Sequence, residues 1–179
     1  MVKFDDYLPG DKNTSHKLKE ILRVNHAGEY GAKRIYEGQL KTLGDNPEIK
    51  HMYNQELEHL QFFEQELIKH NVRPSILSPL WHIGGYMLGR ATSLLGEKAA
   101  MACTEAVEEV IDEHYSEQIE ELKNYAPALS AKLEQFRQEE LEHRDLARKE
   151  GATEAPCYSL LNAGIKTLSK IAIRIAKKY

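Results

Sequence analysis

Glu56-Leu-Glu-His59 and Glu140-Leu-Glu-His143 are two copies of one tetrapeptide, and their surroundings decide the fold. Residues three apart face the same way on an α-helix, so each copy puts a glutamate and a histidine on one face. Around the first copy, Met52, Glu56, His59, Phe63 and Leu67 follow the 3–4 spacing of a core-facing helix. Around the second, Leu129, Leu133, Phe136, Glu140, His143 and Ala147 do the same. Each copy has a helical stripe upstream that a lone glutamate interrupts. The first runs Leu22, His26, Glu29, Tyr36, Leu40, and the second Met101, Thr104, Glu108, Ile111, Tyr115, Ile119, Leu122. This order predicts two helical hairpins related by a pseudo-twofold axis.

Carboxylates on an inward face are rare, because burying one unpaired costs several kcal/mol. Four on converging stripes repel one another unless protonated or bound to cations. Two divalent ions would balance Glu29, Glu56, Glu108 and Glu140. Glu56 with His59, and Glu140 with His143, can each reach one ion, while Glu29 and Glu108 bridge or terminate the pair. A glutamate from each of two helices plus Glu-x-x-His from two others is the di-iron carboxylate arrangement of helical bundles. Oxygen-rich donors with two imidazoles and no thiolate suit iron or manganese better than structural zinc. Spacing alone leaves oxygenase, oxidase, peroxide reduction and iron oxidation or storage open. A single Glu-x-x-His carries little weight: Glu48-Ile-Lys-His51 has the spacing, but Glu48 opens a helix and His51 falls off the stripe.

Outward from these stripes, the 179 residues read as a single all-α domain, 1–179. Core helices are predicted over roughly 16–43, 47–70, 98–124 and 127–149, with two further helices over roughly 79–95 and 158–178. Gly44 to Pro47, Pro74, Pro79, Gly96, Pro127 and Gly151 to Pro156 mark the breaks. The short connections imply antiparallel neighbours. A formal net charge of −4 gives no global reason to expect nucleic acid. Two widely separated cysteines, Cys103 and Cys157, favour neither a disulfide framework nor a thiolate site. No secretory or transit segment and no uncharged apolar span is visible.

The run Leu22-Arg-Val-Asn-His-Ala-Gly-Glu-Tyr-Gly-Ala-Lys-Arg-Ile-Tyr-Glu-Gly-Gln39 resembles the first-helix signature of the 5-demethoxyubiquinone hydroxylases, the clock-1 type enzymes of ubiquinone biosynthesis. The likeness continues through Ser78-Pro-Leu-Trp81, Ala100-Met-Ala-Cys-Thr104, Ala106-Val-Glu-Glu109, His114-Tyr115 and Glu139-Glu-Leu-Glu-His143. The resemblance implies a ferritin-like fold and two iron ions per chain. It also implies hydroxylation of demethoxyubiquinol or demethoxyubiquinone with dioxygen, with NADH as a candidate reductant. Carried over, the ligands fall on Glu29, Glu56, His59, Glu108, Glu140 and His143. The resemblance also implicates His114 and Tyr115. Tyr115 shares the face of Glu108 and either reaches the metal or substrate pocket or packs as a core tyrosine. His114 lies about 120° away on a straight helix; it approaches the metals through a π-bulge, or is a supporting or surface histidine. His26, one turn before Glu29, reads as a supporting or a core histidine. The missing targeting segment suggests a bacterial form.

Beyond Glu154 there is no acid. Leu161, Ile165, Leu168, Ala172 and Ile175 form one stripe of the last helix, and Lys166, Lys170, Arg174 and Lys178 another. A basic amphipathic helix suits an anionic membrane surface. With the glycine-rich apolar helix before Gly96, it forms a candidate docking surface on the cytoplasmic side of a bacterial cell membrane. A homo-oligomer, or an interface with a lipid-binding accessory protein, would bury the same area.

Overall fold

The computed structural model describes residues 15–178 and is all-helical over them. It contains α1 (His16–Leu43), α2 (Pro47–Lys69), α3 (Ser78–Leu94), α4 (Glu97–Leu122), α5 (Pro127–Lys149) and α6 (Tyr158–Ala176), with one short 3₁₀ turn at Ala152–Glu154. The expected helices are all present, their ends shifted by two residues at most. The 3₁₀ turn lies in the Gly151–Pro156 stretch, which had been read only as a break.

Local chemistry sets the boundaries. Ser15 caps α1 by accepting from the Leu18 amide, and Asn46 caps α2 from Ile49, with Pro47 in its first turn. Between these helices, Gly44 adopts φ +77°, a conformation that glycine reaches without steric penalty. This three-residue connection folds α2 back on α1, and a four-residue one, 123–126, folds α5 back on α4.

The two hairpins enclose one interior with apolar packing at both ends. Ile21, Leu22, Phe63, Leu67, Leu122, Leu133 and Phe136 fill one end. Ile49, Met52, Ala99, Met101, Ala102 and Ala147 fill the other. Glu29, Glu56, Glu108 and Glu140 fall between them along all four helices.

The remaining helices clad this bundle. α3 lies on α1 at backbone contact. A Cβ on Gly89 would fall 1.9 Å from the Ile35 carbonyl oxygen, and one on Gly38 would fall 2.3 Å from that of Tyr86. The outer side of α3 leaves Leu80, Ile83, Met87 and Leu94 exposed.

α6 lies on α4, with most of its apolar stripe turned inward and Leu168 left outside. Ile165 and Ala176 are buried, whereas Leu160, Leu168 and Ile171 are exposed. The basic stripe is partly spent inside the protein: Lys166 pairs with Glu109, and Lys170 with Glu113 at 2.7 Å. Acids at 105, 109 and 113 form a complementary row on α4, and the Tyr158 hydroxyl donates to Glu105 at 2.9 Å. The outward face of α6 is therefore more apolar and less basic than its sequence suggests. No helix among the described residues is long and apolar enough to cross a membrane.

Candidate metal centre

The four stripe glutamates and two histidines meet at mid-bundle. Ligand atoms of Glu29, Glu56, His59 and Glu140 lie within 4.8 Å of one another, as do those of Glu56, Glu108, Glu140 and His143. Glu56 and Glu140 belong to both groups. The glutamates of the repeated motif thus hold the shared middle, and Glu29 and Glu108 the flanks. All six residues are at most 4% exposed.

Both histidines turn Nδ1 inward. That of His59 is 3.0 Å from Glu140 Oε1 and 3.6 Å from Glu29. That of His143 is 3.0 Å from Glu140 Oε2 and 3.5 Å from Glu56. Their outer nitrogens are held by residues from the opposite hairpin. His59 Nε2 meets Glu139 at 2.5 Å, and His143 Nε2 meets Gln55 Oε1 at 2.9 Å.

Two tyrosines cross in the same manner. The Tyr36 hydroxyl on α1 donates to Glu108 on α4 at 2.9 Å, and the Tyr115 hydroxyl on α4 donates to Glu29 on α1. Each tyrosine lies two turns beyond its own helix's glutamate and serves the other's. The pseudo-twofold relation read from the tetrapeptides therefore extends to the groups behind them.

The cluster's electrostatics bear on what it can hold. Burial pushes the Glu56 carboxyl well above the usual range, and the charges of Glu140, Glu29 and Glu108 push it further. Glu108 is raised by burial and then by Glu140. Burial would lower His59, but hydrogen bonds to Glu140 and Glu29 outweigh it, and it is pushed up to about 12. His143 rises likewise, its bond to Glu140 outweighing burial. Glu140 moves down, because its bonds from His143 and His59 outweigh burial. Without a metal, the cluster limits its own repulsion by holding protons. Even so, both oxygens of Glu56, Oε2 of Glu140 and Nδ1 of His143 are buried without an aligned hydrogen bond. Buried polar groups are nearly always paired. Orphaned carboxylate oxygens facing two imidazoles fit metal cations.

His114 joins neither group. α4 runs through as an uninterrupted α-helix, so no π-bulge carries His114 inward. It is nonetheless buried, and the Gln118 amide, itself paired with Asn25, approaches its Nε2 at 2.8 Å. Burial, with Lys177 and Lys17 beyond, pushes this imidazole down to about 4, so it is neutral at ordinary pH. His26 is buried with Nδ1 unpartnered. The Glu48–His51 pair stays outside: Glu48 is in the first turn of α2 and His51 is exposed.

Sequence reasoning missed Gln55 and Glu139. One signal was available, a hydrogen-bonding residue directly before the glutamate in both copies.

Fold and cluster together define a helical bundle whose buried Glu/His groups could hold metal ions. The model of the family described as ubiquinone biosynthesis protein COQ7 matches residues 16–176, and the chain belongs to that family. It is 45% identical over 178 residues to the 3-demethoxyubiquinol 3-hydroxylase of Rhodospirillum rubrum, covering 97% of this chain and 84% of that protein. It is 44% identical over 168 residues to the mitochondrial NADPH-dependent 3-demethoxyubiquinone 3-hydroxylase of Homo sapiens, covering 90% of this chain and 77% of the relative. With the mitochondrial 5-demethoxyubiquinone hydroxylase of Saccharomyces cerevisiae it shares 39% identity over 181 residues, covering 90% and 78%.

Proposed function

We propose that this chain is a di-iron monooxygenase that hydroxylates the ring of demethoxyubiquinol or demethoxyubiquinone in ubiquinone biosynthesis. The observation that carries the reading is the pair of overlapping buried ligand groups, found in a member of the COQ7 family. Glu29, Glu56, His59 and Glu140 would hold one iron, and Glu56, Glu108, Glu140 and His143 the other, with Glu56 and Glu140 between them. Bound iron would supply the redox chemistry by which dioxygen hydroxylates the ring. The reductant is a reduced nicotinamide, in keeping with the NADPH-dependent mitochondrial relatives.

The chain's own residues supply geometry and dryness. Apolar packing at both ends of the bundle keeps water from the cluster, which strengthens every electrostatic contact inside it. Tyr36 and Tyr115 hold the flanking glutamates by their hydroxyls. Beside Glu108, Ala32, Ile35, Tyr36, Thr104 and Val107 line a small, closed recess.

The exposed apolar residues of α3 and α6 rest on a bacterial membrane and let the polyprenyl tail enter from it. A homo-oligomer or a lipid-binding accessory protein can share that surface.

The test is anaerobic reduction of iron-loaded protein in detergent with a demethoxyquinone, followed by oxygen and product analysis. Two irons per chain and a hydroxylated ring are expected. Glu140→Ala should abolish both, and intact loading with full turnover in that variant would remove the site from consideration.

A further inference from the structure

The two halves of the cluster match closely: Glu29 with Glu108, Tyr36 with Tyr115, Glu56 with Glu140, and His59 with His143. Behind the histidines the match breaks. The outer nitrogen of His59 meets a carboxylate, Glu139 Oε2, at 2.5 Å, and that of His143 meets a neutral amide oxygen, Gln55 Oε1, at 2.9 Å. Glu139 is itself fixed, because its Oε1 accepts from Gln135 Nε2 at 2.8 Å. Phe136 lies against the His59 ring, with centroids 4.0 Å apart, so the imidazole is confined in its plane as well as along its edge.

An imidazole N–H donated to a carboxylate makes the opposite nitrogen a stronger electron donor than one donated to an amide. We propose that Glu139 makes the two metal positions unequal, so that the position served by His59, Glu29, Glu56 and Glu140 holds a cation more tightly than its pseudo-twofold mate. This inference rests on the two-metal reading above. Glu139 acts through His59 and is a positioning residue. The same logic assigns Gln55 the role of leaving His143 the weaker donor.

Titrating metal-free full-length protein anaerobically with ferrous ion alone, followed by Mössbauer spectroscopy with enriched iron, tests this. The wild type should fill in two resolved steps with two distinct ferrous signals. In Glu139→Gln the first step should weaken about tenfold, within the range for such outer partners, and the two steps should merge. Gln55→Glu should tighten the second step instead. Circular dichroism shows that each variant is folded, and the partly exposed position of Glu139 makes it a tolerant site. Equal steps in the wild type, or a step ratio unchanged in Glu139→Gln, overturns the inequality while leaving the two-metal reading standing. A wild type that takes up no iron overturns both.

Discussion

Glu56 has both carboxylate oxygens buried without a hydrogen-bond partner. In the metal-free chain Glu56 and Glu108 titrate above the unfolded value, and so do His59 and His143. For each of these groups the folded state holds a proton that the unfolded chain has lost, above about pH 4.5 for the acids and 6.5 for the histidines. Stability of the metal-free protein therefore falls as pH rises, by up to about 1.4 kcal/mol per pH unit for each such proton. Glu140 has the opposite sign: its depressed value stabilises above the unfolded carboxylate range and is lost as pH falls through it. Metal binding needs the same histidines and glutamates deprotonated, so affinity rises with pH. The gap in melting temperature between iron-loaded and metal-free protein should accordingly widen from pH 6 to pH 8. A gap that narrows over this range would sink the protonation scheme. For the same reason Glu56→Gln should raise the stability of metal-free protein at pH 8, by about 1–3 kcal/mol, while it weakens iron loading. Parallel denaturant melts and iron assays read both effects. The six ligand positions were legible in sequence because each sits on an apolar stripe where a carboxylate is out of place. Gln55 and Glu139 were not, because they lie one residue off the stripe, where a polar side chain is ordinary; their histidine partners come from the facing hairpin.

Among the elements, α1 and α3 touch backbone to backbone at Gly38 and Gly89, with Tyr30–His82 and Arg34–Tyr86 side-chain contacts beside those crossings. Gly89→Ala would force a Cβ to within 1.9 Å of the Ile35 carbonyl. A loss of about 1–3 kcal/mol is expected from overpacking, read by urea or thermal denaturation. Gly84, with open space around it, provides the control: its alanine variant should be near neutral or stabilising. That α3 would be helical and glycine-rich was readable, but not that it would lie on α1, since glycines in an apolar helix do not name the neighbour they admit. The sixth helix shows another limit. Its period is legible in its own sequence, but the pairing of its lysines is not, because the acids at 109 and 113 that take Lys166 and Lys170 lie on α4. Those acids recur every four residues, and a comparison of the two helices' charge rows shows the match.

Across the whole molecule, the exposed apolar side chains of α3 and α6 lie on the helices that clad α1 and α4, away from the cluster itself. If that surface seats on lipid, Leu168→Ser and Ile171→Ser should each weaken partition onto anionic vesicles by about tenfold, from the loss of one buried aliphatic side chain, and leave iron content unchanged. Vesicle flotation and metal analysis on the same preparations separate the two effects. Equal flotation of wild type and the double variant would remove this face as the docking surface. The pairing of Lys166 and Lys170 with α4 adds that the dependence on anionic lipid should be shallow, carried by fewer cations than the sequence displays. The glycine crossing then acquires a mechanical meaning. At Gly38 and Gly89 no flexible side chain lies between the two backbones to absorb a shift. α1, which carries Glu29 and Tyr36, is bolted to the helix nearest the proposed lipid face, so a tilt of one is a tilt of the other.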